Sequence, residues 1–299
     1  AIRFTMENMK FGLTKTFLGR VCISASAFCL YMTTVSIRWA KTSVELDSTF
    51  FVFARFALGF IVICSILAVK RRPLKPRNWW LLLGRAFSNV AAVFCFFKAV
   101  SLTSAAEGNI LNMTYPLFIA VFFFLFQKGK KDYPAYFLTL VAFFGVWLVI
   151  SPQGFALRME NLWGLASGFF GAIAVTILNF ARKFNDTDTI LFFMFGIGTL
   201  LIGIFFPQHL FIPTLEQAKY LAIAAIFGVL GQYLLTLGFK YVTAVEGGVI
   251  SSSRILIAAI LGPYIVSDPA LGLSGWFGAL LIFGTNVYLT IRDIGTQQK

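Results

Sequence analysis

The sequence predicts an all-α membrane protein in which ten transmembrane helices form two inverted repeats of five helices each. Its composition is the first observation: 59% of the 299 residues are hydrophobic and 12% are charged, and the mean hydropathy is +0.83. These values lie outside the range of ordinary soluble domains. The second observation is a series of ten apolar stretches, each long enough to cross about 30 Å of hydrocarbon. The third is a sequence repeat at an offset of about 140 residues, which divides the chain into two similar halves.

Short connections separate the ten predicted spans. The spans cover residues 17–40, 49–69, 79–101, 105–126, 134–151, 162–181, 189–206, 218–239, 244–265 and 270–291. The longest connections, near residues 152–161 and 207–217, leave no room for a folded domain. The sequence has no G-x-x-x-x-G-K-[ST] phosphate loop, so ATP hydrolysis by this chain is not expected. The four cysteines all lie in predicted spans, which argues against a disulfide framework.

One motif occurs in both halves of the chain. The matching segments are Phe97-Lys98 with Ser104-Ala-Ala-Glu107, and Phe239-Lys240 with Thr243-Ala-Val-Glu246. Each repeat holds five crossings, and an odd number of crossings turns the second copy upside down in the bilayer. We therefore expect four segments: a cytoplasmic N-terminal segment 1–16, a first repeat 17–151, an inverted second repeat 162–291 and a cytoplasmic tail 292–299.

The net charge of +13 is distributed as the positive-inside rule requires. If the N-terminus is cytoplasmic, the opposite side of the membrane keeps only Lys41, Arg158 and Lys219. Both termini are therefore predicted to be cytoplasmic, and the excess charge indicates topology rather than a nucleic-acid partner. The expected partners are the lipid bilayer and a small-molecule substrate, with the chain a monomer or weak homodimer in a bacterial inner membrane. Residues 1–5, which precede Met6, are expected to be an addition to the natural chain.

Two stretches of the first half carry a family resemblance. They are residues 84–87 (Gly-Arg-Ala-Phe) and residues 97–105, and Pro116 follows in the middle of the fourth span. Together with the ten spans and the inverted repeat, they make nearly the whole chain resemble the EamA-like branch of the drug/metabolite transporter superfamily. The chain departs from the family pattern at Ile255, where a proline of the ninth span is expected. It also lacks the common acidic residue after the fourth span, although Asp268 keeps the equivalent acid after the ninth.

The resemblance implies a central cavity lined by spans 1, 3, 4, 6, 8 and 9, with spans 5 and 10 at the periphery. The residues indicate the same arrangement, because polar groups inside a membrane are costly and usually face a bundle interior or a watery path. Such groups concentrate here on the third, fourth, eighth and ninth spans. The candidate substrate-binding residues are Arg254, Arg85, Asn89, Asn112, Tyr115, Gln232, Thr236 and Ser253.

Arg254 is the leading candidate, because it lies near the middle of the ninth span and cannot reach the membrane surface. On the repeat offset it corresponds to Tyr115, directly before Pro116. Pro116 lacks a backbone N–H and is predicted to kink its helix. We expect two paired irregularities near the bilayer midplane, at residues 112–116 and 251–254. The alternative is that Arg254 is neutralised inside the bundle and serves only to hold it together.

Two further arginines lie within predicted spans. Arg85 is two turns into the third span, with Asn89 one turn further on the same face, so a cavity role is expected. Arg55 lies two turns from the outer end of the second span and is expected to reach the interface, with a cavity role as the alternative. Deep cations outnumber deep anions, which favours a ligand with a carboxylate or phosphate, since the guanidinium fork bonds such groups twice.

Glu107 and Glu246 are carboxylates repeated in both halves. Each follows a hydroxyl residue at the spacing of a capping box, in which the two side chains satisfy free amides at a helix start. A negative charge there also suits the helix dipole. We therefore interpret both glutamates as helix caps, with a coupling or gating role as the alternative.

The sequence as a whole predicts a secondary transporter that moves a small anionic or zwitterionic metabolite by alternating access. An amino acid or related compound is the first expectation, and a nucleoside-linked metabolite such as S-adenosylmethionine the second. A lipid-precursor flippase is a further alternative. The chain is not expected to be an enzyme, because no paired base and nucleophile is found, and no metal cluster or cofactor is indicated.

Overall fold

The structure is a computed structural model that describes residues 2–71, 74–126, 133–150, 158–242 and 244–297. Within these ranges the chain forms eleven α-helices and a short 3₁₀ turn at Pro207–His209, with no β-strand. The helices are α1 Ile2–Ser43, α2 Ser48–Lys70, α3 Trp79–Leu102, α4 Ala105–Asn112, α5 Tyr115–Phe126, α6 Tyr133–Ile150, α7 Asn161–Ala181, α8 Thr187–Phe205, α9 Leu215–Gly238, α10 Ala244–Ile265 and α11 Leu273–Gln297.

Six of these helices have described stretches that are long and apolar enough to cross a membrane: α2, α3, α7, α8, α9 and the part of α1 from Lys15 to Ser43. Shorter apolar stretches lie in α6, at Leu140–Val149, and in α10, at Ile250–Ile265. The predicted all-α membrane fold is confirmed. The helices follow the predicted spans with two kinds of difference: the fourth predicted span consists of two helices, and α1 and α11 extend beyond their spans, to Ile2 and to Gln297.

The fourth span is interrupted between α4 and α5. Pro116 has no N–H to donate to a preceding carbonyl, so a continuous helix would lose a bond there, whereas the first turn of a new helix accepts proline without loss. The backbone of α5 restarts on Thr114, whose carbonyl accepts from Leu117 N at 2.9 Å. The Met113 carbonyl accepts from Asn286 Nδ2 of α11 at 3.2 Å. The interruption thus has hydrogen-bond partners from within the bundle.

The second expected irregularity, at residues 251–254, is absent, and this part of the prediction is wrong. The helix α10 runs from Ala244 to Ile265 without a break. The physical reason is Ile255, which keeps the backbone N–H that a proline would remove. The proline within α10 is Pro263, close to the end of the helix. The two halves therefore differ at these corresponding positions, because α4 and α5 are separate helices whereas α10 is continuous.

Ion pairs and polar contacts gather at the two ends of the bundle. One end, called here the Asp268 rim, is formed by residues 38–47, 98–107, 158–160, 207–217 and 265–268. There Arg38 pairs with Asp268, and Lys98 Nζ lies 3.7 Å from Asp47 Oδ2. The other end, called the Asp188 rim, is formed by residues 70–71, 74–78, 181–188 and 238–242. There Lys70 Nζ lies 2.7 Å from Asp188 Oδ2.

Corresponding helices of the two halves begin at opposite rims. The helix α1 ends at the Asp268 rim, whereas its counterpart α7 begins there. The helix α2 begins at the Asp268 rim with Asp47 as its N-cap, whereas its counterpart α8 begins at the Asp188 rim with Asp186 as its N-cap. The second half is therefore inverted relative to the first. The positive-inside count predicts that the Asp188 rim is the cytoplasmic one.

Glycines on α7 bring that helix against the interruption between α4 and α5. A Cβ atom at Gly164 would lie 2.8 Å from Leu111 Cβ, and one at Gly168 would lie 2.8 Å from the Leu111 carbonyl oxygen. Neither distance is compatible with a larger side chain, so the close approach requires glycine. This packing fixes the interruption against the second half of the molecule, next to the hydrogen-bonded side chains of Asn112, Ser167 and Arg254.

Candidate functional site

A cavity of about 90 Å³, large enough for several water molecules, lies between the two rims. Helices from both halves line it: α1 to α5 from the first, and α7, α9 and α10 from the second. The lining residues are Ser26, Ala27, Leu30, Arg55, Arg85, Asn89, Ala92, Val93, Phe96, Asn112, Met113, Tyr115, Gly171, Ala174, Val175, Gln232, Leu235, Ser251 and Arg254. No described residue of α6 or α11 belongs to this lining, in agreement with the peripheral positions expected for the fifth and tenth spans.

Arg254 enters the cavity from α10, and its residue is only 4% exposed. Its Nη2 donates to Oδ1 of Asn112, at the end of α4. The amide nitrogen of Asn112 in turn donates to the Ser167 hydroxyl on α7. The guanidinium carbon of Arg254 lies 5.3 Å from the centroid of the Phe96 ring, a cation–π distance. The guanidinium is thus held by one neutral amide and one aromatic face.

Arg55 reaches the same cavity from α2. Its Nη2 donates to Gln232 Oε1 on α9 at 3.1 Å, and its guanidinium carbon lies 5.7 Å from the Phe97 ring centroid. Gly228 on α9 makes room for it, since a Cβ atom there would lie 2.9 Å from Arg55 Cδ. The expectation that Arg55 reaches the membrane interface is wrong: the residue is 3% exposed and points into the bundle. The aliphatic part of the Arg55 side chain packs against Gly228, so tertiary packing decides that the guanidinium points inward.

Arg85 lies on α3 with the residue 2% exposed. Within the described residues its side chain has no hydrogen-bond or ion-pair partner, and its Nε atom is fully buried. Asn89, one turn further along α3, also lines the cavity, and its buried Nδ2 has no acceptor in the described part of the chain. Arg85 and Asn89 therefore present free donors side by side at the cavity wall.

The cavity carries positive charge without a matching negative charge. Among the residues that the structure describes, three arginines and no aspartate or glutamate line it. The ion pairs among the described residues all lie at the rims, and none involves Arg55, Arg85 or Arg254. Buried charges are costly unless they are paired. Neutral amides supply acceptors for two of the guanidinium groups but no countercharge, so the site is suited to bind an anion.

Six of the eight candidate substrate-binding residues line this cavity, and two do not. Thr236 is buried behind Gln232, whose Nε2 donates to the Thr236 hydroxyl at 3.3 Å. Ser253 donates to the Ile250 carbonyl of its own helix at 2.7 Å. The sequence reasoning left out Ser26, whose hydroxyl donates to the Gly231 carbonyl at 2.7 Å. Ser26 had a signal in the sequence, because Ala25-Ser26 matches Ala166-Ser167 on the repeat offset, and the Ser167 hydroxyl accepts from Asn112.

Glu107 lies at the start of α4, away from the cavity lining. Ser104 is the N-cap of α4, and its hydroxyl accepts from Glu107 N at 3.0 Å. The Glu107 carboxylate accepts from the same hydroxyl at 3.4 Å and faces Arg158 Nη1 at 3.6 Å. The cap is therefore formed by Ser104, and the carboxylate contributes charge at the helix start. Thr243 and the side chain of Glu246 lie outside the described residues.

Asp268 connects three elements of its rim. Its carboxylate is completely buried and pairs with Arg38 near the end of α1. It also accepts from the backbone N–H of Ala105, the first residue of α4, at 2.7 Å. Arg38 donates through its other terminal nitrogen to the Thr103 carbonyl at 2.9 Å. The connection between α10 and α11 is thus fastened to α1 and α4 on this side of the cavity.

Comparison with known proteins relates this architecture to a transporter family. Residues 17–151 and residues 158–291 each match the EamA-like transporter family. The chain belongs to the EamA-like transporter family. The resemblance predicted from residues 84–87, 97–105 and Pro116 is confirmed, and with it the assignment to the drug/metabolite transporter superfamily.

Several proteins that are similar to this chain in sequence are named as transporters. The pseudopaline exporter CntI of Pseudomonas aeruginosa UCBPP-PA14 is 25% identical over 206 residues, covering 68% of this chain and 72% of the exporter. The riboflavin transporter of Brucella anthropi is 23% identical, with 88% and 95% of the two chains covered. An uncharacterised transporter of Helicobacter pylori J99 is 24% identical, with 97% of each chain covered. The protein is therefore a membrane transporter.

A solved crystal structure agrees with the fold. It superposes with a TM-score of 0.61 at 18% sequence identity and covers 93% of this chain and 96% of its own. At this identity the likeness establishes the fold alone, and substrate chemistry has to be argued from the cavity.

Proposed function

We propose that this EamA-like protein is a secondary transporter that moves a small polar metabolite bearing a carboxylate or phosphate by alternating access. The observation that carries the proposal is the set of three buried arginines around one cavity without an acidic partner in the described chain. Guanidinium groups recognise carboxylates and phosphates through paired hydrogen bonds. A bound anion would supply the missing charge and the missing acceptors at once.

Alternating access is supported by the position of the cavity between two inverted halves. Arg85, Asn112 and Tyr115 come from the first half, and Gln232 and Arg254 come from the second. Inverted repeats allow two states of similar energy, in which the halves exchange conformations around a fixed site. The ion pairs at the two rims are the contacts that such an exchange would make and break. The interruption between α4 and α5 lies at the cavity, where its conformation would change with the ligand.

Both substrate classes expected from the sequence carry an acidic group that the arginines of this site can bind. Amino acids and S-adenosylmethionine each carry a carboxylate that Arg254 can bind. The relatives include a riboflavin transporter and a pseudopaline exporter, so sequence similarity alone does not identify the transported compound. We place the protein in a bacterial inner membrane, with the Asp188 rim in the cytoplasm.

Counterflow into proteoliposomes tests the proposal. Vesicles containing the full chain are preloaded with one unlabelled metabolite and exposed to its radiolabelled form, across carboxylates, phosphate esters, amino acids and neutral sugars. We expect counterflow of at least one acidic metabolite. Arg254→Lys keeps the charge but loses the planar fork, so it should weaken half-saturation by about tenfold. The matched control is Arg77→Lys, because Arg77 is exposed at the Asp188 rim. Counterflow of neutral compounds alone would overturn the proposal.

A further inference from the structure

We infer that the cavity selects ligands with at least two negative charges and no ammonium group. This inference rests on the proposed transport of an acidic metabolite and narrows its substrate class. It separates dicarboxylates and phosphate esters from amino acids and from S-adenosylmethionine, all of which the proposed function alone would admit.

Three fixed positive charges face the cavity. Arg55, Arg85 and Arg254 are each at most 4% exposed, and arginine stays protonated in proteins. Arg254 and Arg55 each bond a neutral amide oxygen, and Arg85 bonds nothing in the described part of the chain. The cavity therefore holds three positive charges, and none of its described lining residues is an acid. A ligand with one negative charge would leave two of them uncompensated.

The cavity is poorly suited to a ligand's ammonium group. A buried ammonium donates three hydrogen bonds, and it is stabilised most where a carboxylate or the face of an aromatic ring also offsets its charge. No carboxylate belongs to the lining within the described part of the chain. The face of Phe96 is taken by Arg254, and Phe97 beside the cavity is taken by Arg55. A zwitterion would place its ammonium beside three guanidinium groups. Tyr115 and the Asn89 amide could contact that ammonium, but neither supplies the negative charge that would offset the repulsion.

The hydrogen-bond donors of the cavity differ in whether they already have a partner. Arg85 and Asn89, one turn apart on α3, have unused donors and form the first group. Arg254 and Arg55 form the second group, and the amides of Asn112 and Gln232 hold them in place. Donors from α2, α3 and α10 around one cavity suit a ligand with two acidic groups, or a phosphate together with a second acceptor.

A series of four-carbon ligands tests the inference on the purified full chain. Succinate, succinamate, aspartate and asparagine share a backbone length and differ in carboxylates and ammonium; glycerol 3-phosphate and glycerol form a second pair. Dissociation constants are measured by ligand-induced thermal shift. We expect succinate or glycerol 3-phosphate to bind best, with aspartate at least about tenfold weaker than succinate and asparagine and glycerol silent.

The outcomes separate this inference from the proposed function. If aspartate or asparagine binds as well as succinate and shows counterflow, the inference is wrong while transport of an acidic metabolite stands. If no acidic compound binds or shows counterflow, both are wrong. If dianions alone bind and exchange, both are supported.

A charge variant adds a second readout. Arg85→Gln removes one guanidinium that has no partner, so it should leave the melting temperature unchanged or higher. It should weaken succinate by about 10- to 100-fold and succinamate far less, because the second carboxylate loses its cation. The control is Arg77→Gln at the exposed rim. An equal loss for both ligands with an unchanged melting temperature would contradict the requirement for a second negative charge.

Discussion

At the scale of single residues, the site depends on buried arginines. Two of them have hydrogen-bond acceptors, but none has a negatively charged partner among the described residues. Arg254 and Asn112 come from opposite halves and were predicted from their depth in the spans, because a polar group at that depth has few alternatives to the bundle interior. Arg55 could not be predicted in this way. Its distance from the end of α2 allowed it to reach the surface, and only the packing against Gly228 and Phe97 directs it inward.

The Asn112 amide offers a direct test of the missing countercharge. Asn112→Asp keeps the size of the side chain and places a carboxylate against Arg254. We expect the melting temperature to rise, because an ion pair replaces an ion–amide contact, and anion affinity to fall by about tenfold or more. The measurement is thermal melting beside ligand binding, with the exposed Gln208→Glu as control. An unchanged affinity would place the ligand elsewhere.

At the scale of elements, the ends and interruptions of helices were predictable where a specific residue forces them. Pro116 forces α5 to restart, and Ser104 caps α4. Hydropathy nevertheless predicts one span for the apolar run from 105 to 126, because it carries no information about a missing backbone hydrogen bond. The continuous α10 shows the converse: a polar serine run is no helix breaker while the backbone N–H groups remain.

The interruption between α4 and α5 is expected to serve transport more than binding. Pro116→Ala restores the missing N–H and allows the two helices to join, as the counterpart α10 does. We expect unchanged or higher stability, anion affinity of the same order, and counterflow reduced by about tenfold. The control is Pro263→Ala in α10. Full counterflow in Pro116→Ala would show that the interruption has no role in the conformational change.

The N-cap of α2 gives a pH-dependent prediction. Burial raises the pKa of Asp47, but hydrogen bonds from Thr49 and the charges of Lys98 and His209 outweigh it, so the pKa falls below its ordinary value of 3.8. A lowered carboxyl pKa contributes stability that is present above the unfolded value and is lost as pH falls through the folded value.

Asp47→Asn isolates this charge, because asparagine is also a good N-cap. Melting temperatures of both proteins are compared across pH. The wild type should be more stable than Asp47→Asn above about pH 5, and the difference should shrink as pH falls below the ordinary aspartate pKa. A difference that is constant across this range would mean that the carboxylate charge contributes nothing to stability.

At the scale of the whole molecule, the inverted repeat explains both the helix directions and the position of the site. The repeated motif and the odd number of crossings predicted the inversion, because a bilayer leaves the chain few topologies. The cavity chemistry was less predictable, since it depends on which side chains of distant spans meet. Arg85 and Arg254, for example, are brought together only by the packing of α3 and α10 around one cavity.

The positive-inside distribution predicts that the Asp188 rim faces the cytoplasm. Single cysteines can be introduced in a variant whose four native cysteines are replaced, at Lys75 of the Asp188 rim and at Gln208 of the Asp268 rim. An impermeant thiol reagent applied to intact cells should label the Gln208→Cys variant at once and the Lys75→Cys variant only after permeabilisation. The opposite pattern would reverse the predicted orientation.

The central claim is that the three uncompensated arginines form the binding site for an acidic substrate, and Arg254→Leu tests it most directly. Binding of succinate and glycerol 3-phosphate is measured beside thermal melting for the wild type, Arg254→Leu and the rim control Arg77→Leu. We predict that Arg254→Leu loses at least about 10- to 100-fold in affinity while its melting temperature stays the same or rises, because a buried charge leaves with its desolvation cost. Retained affinity in Arg254→Leu, or a large loss of stability at unchanged affinity, would contradict the claim and make Arg254 a structural residue.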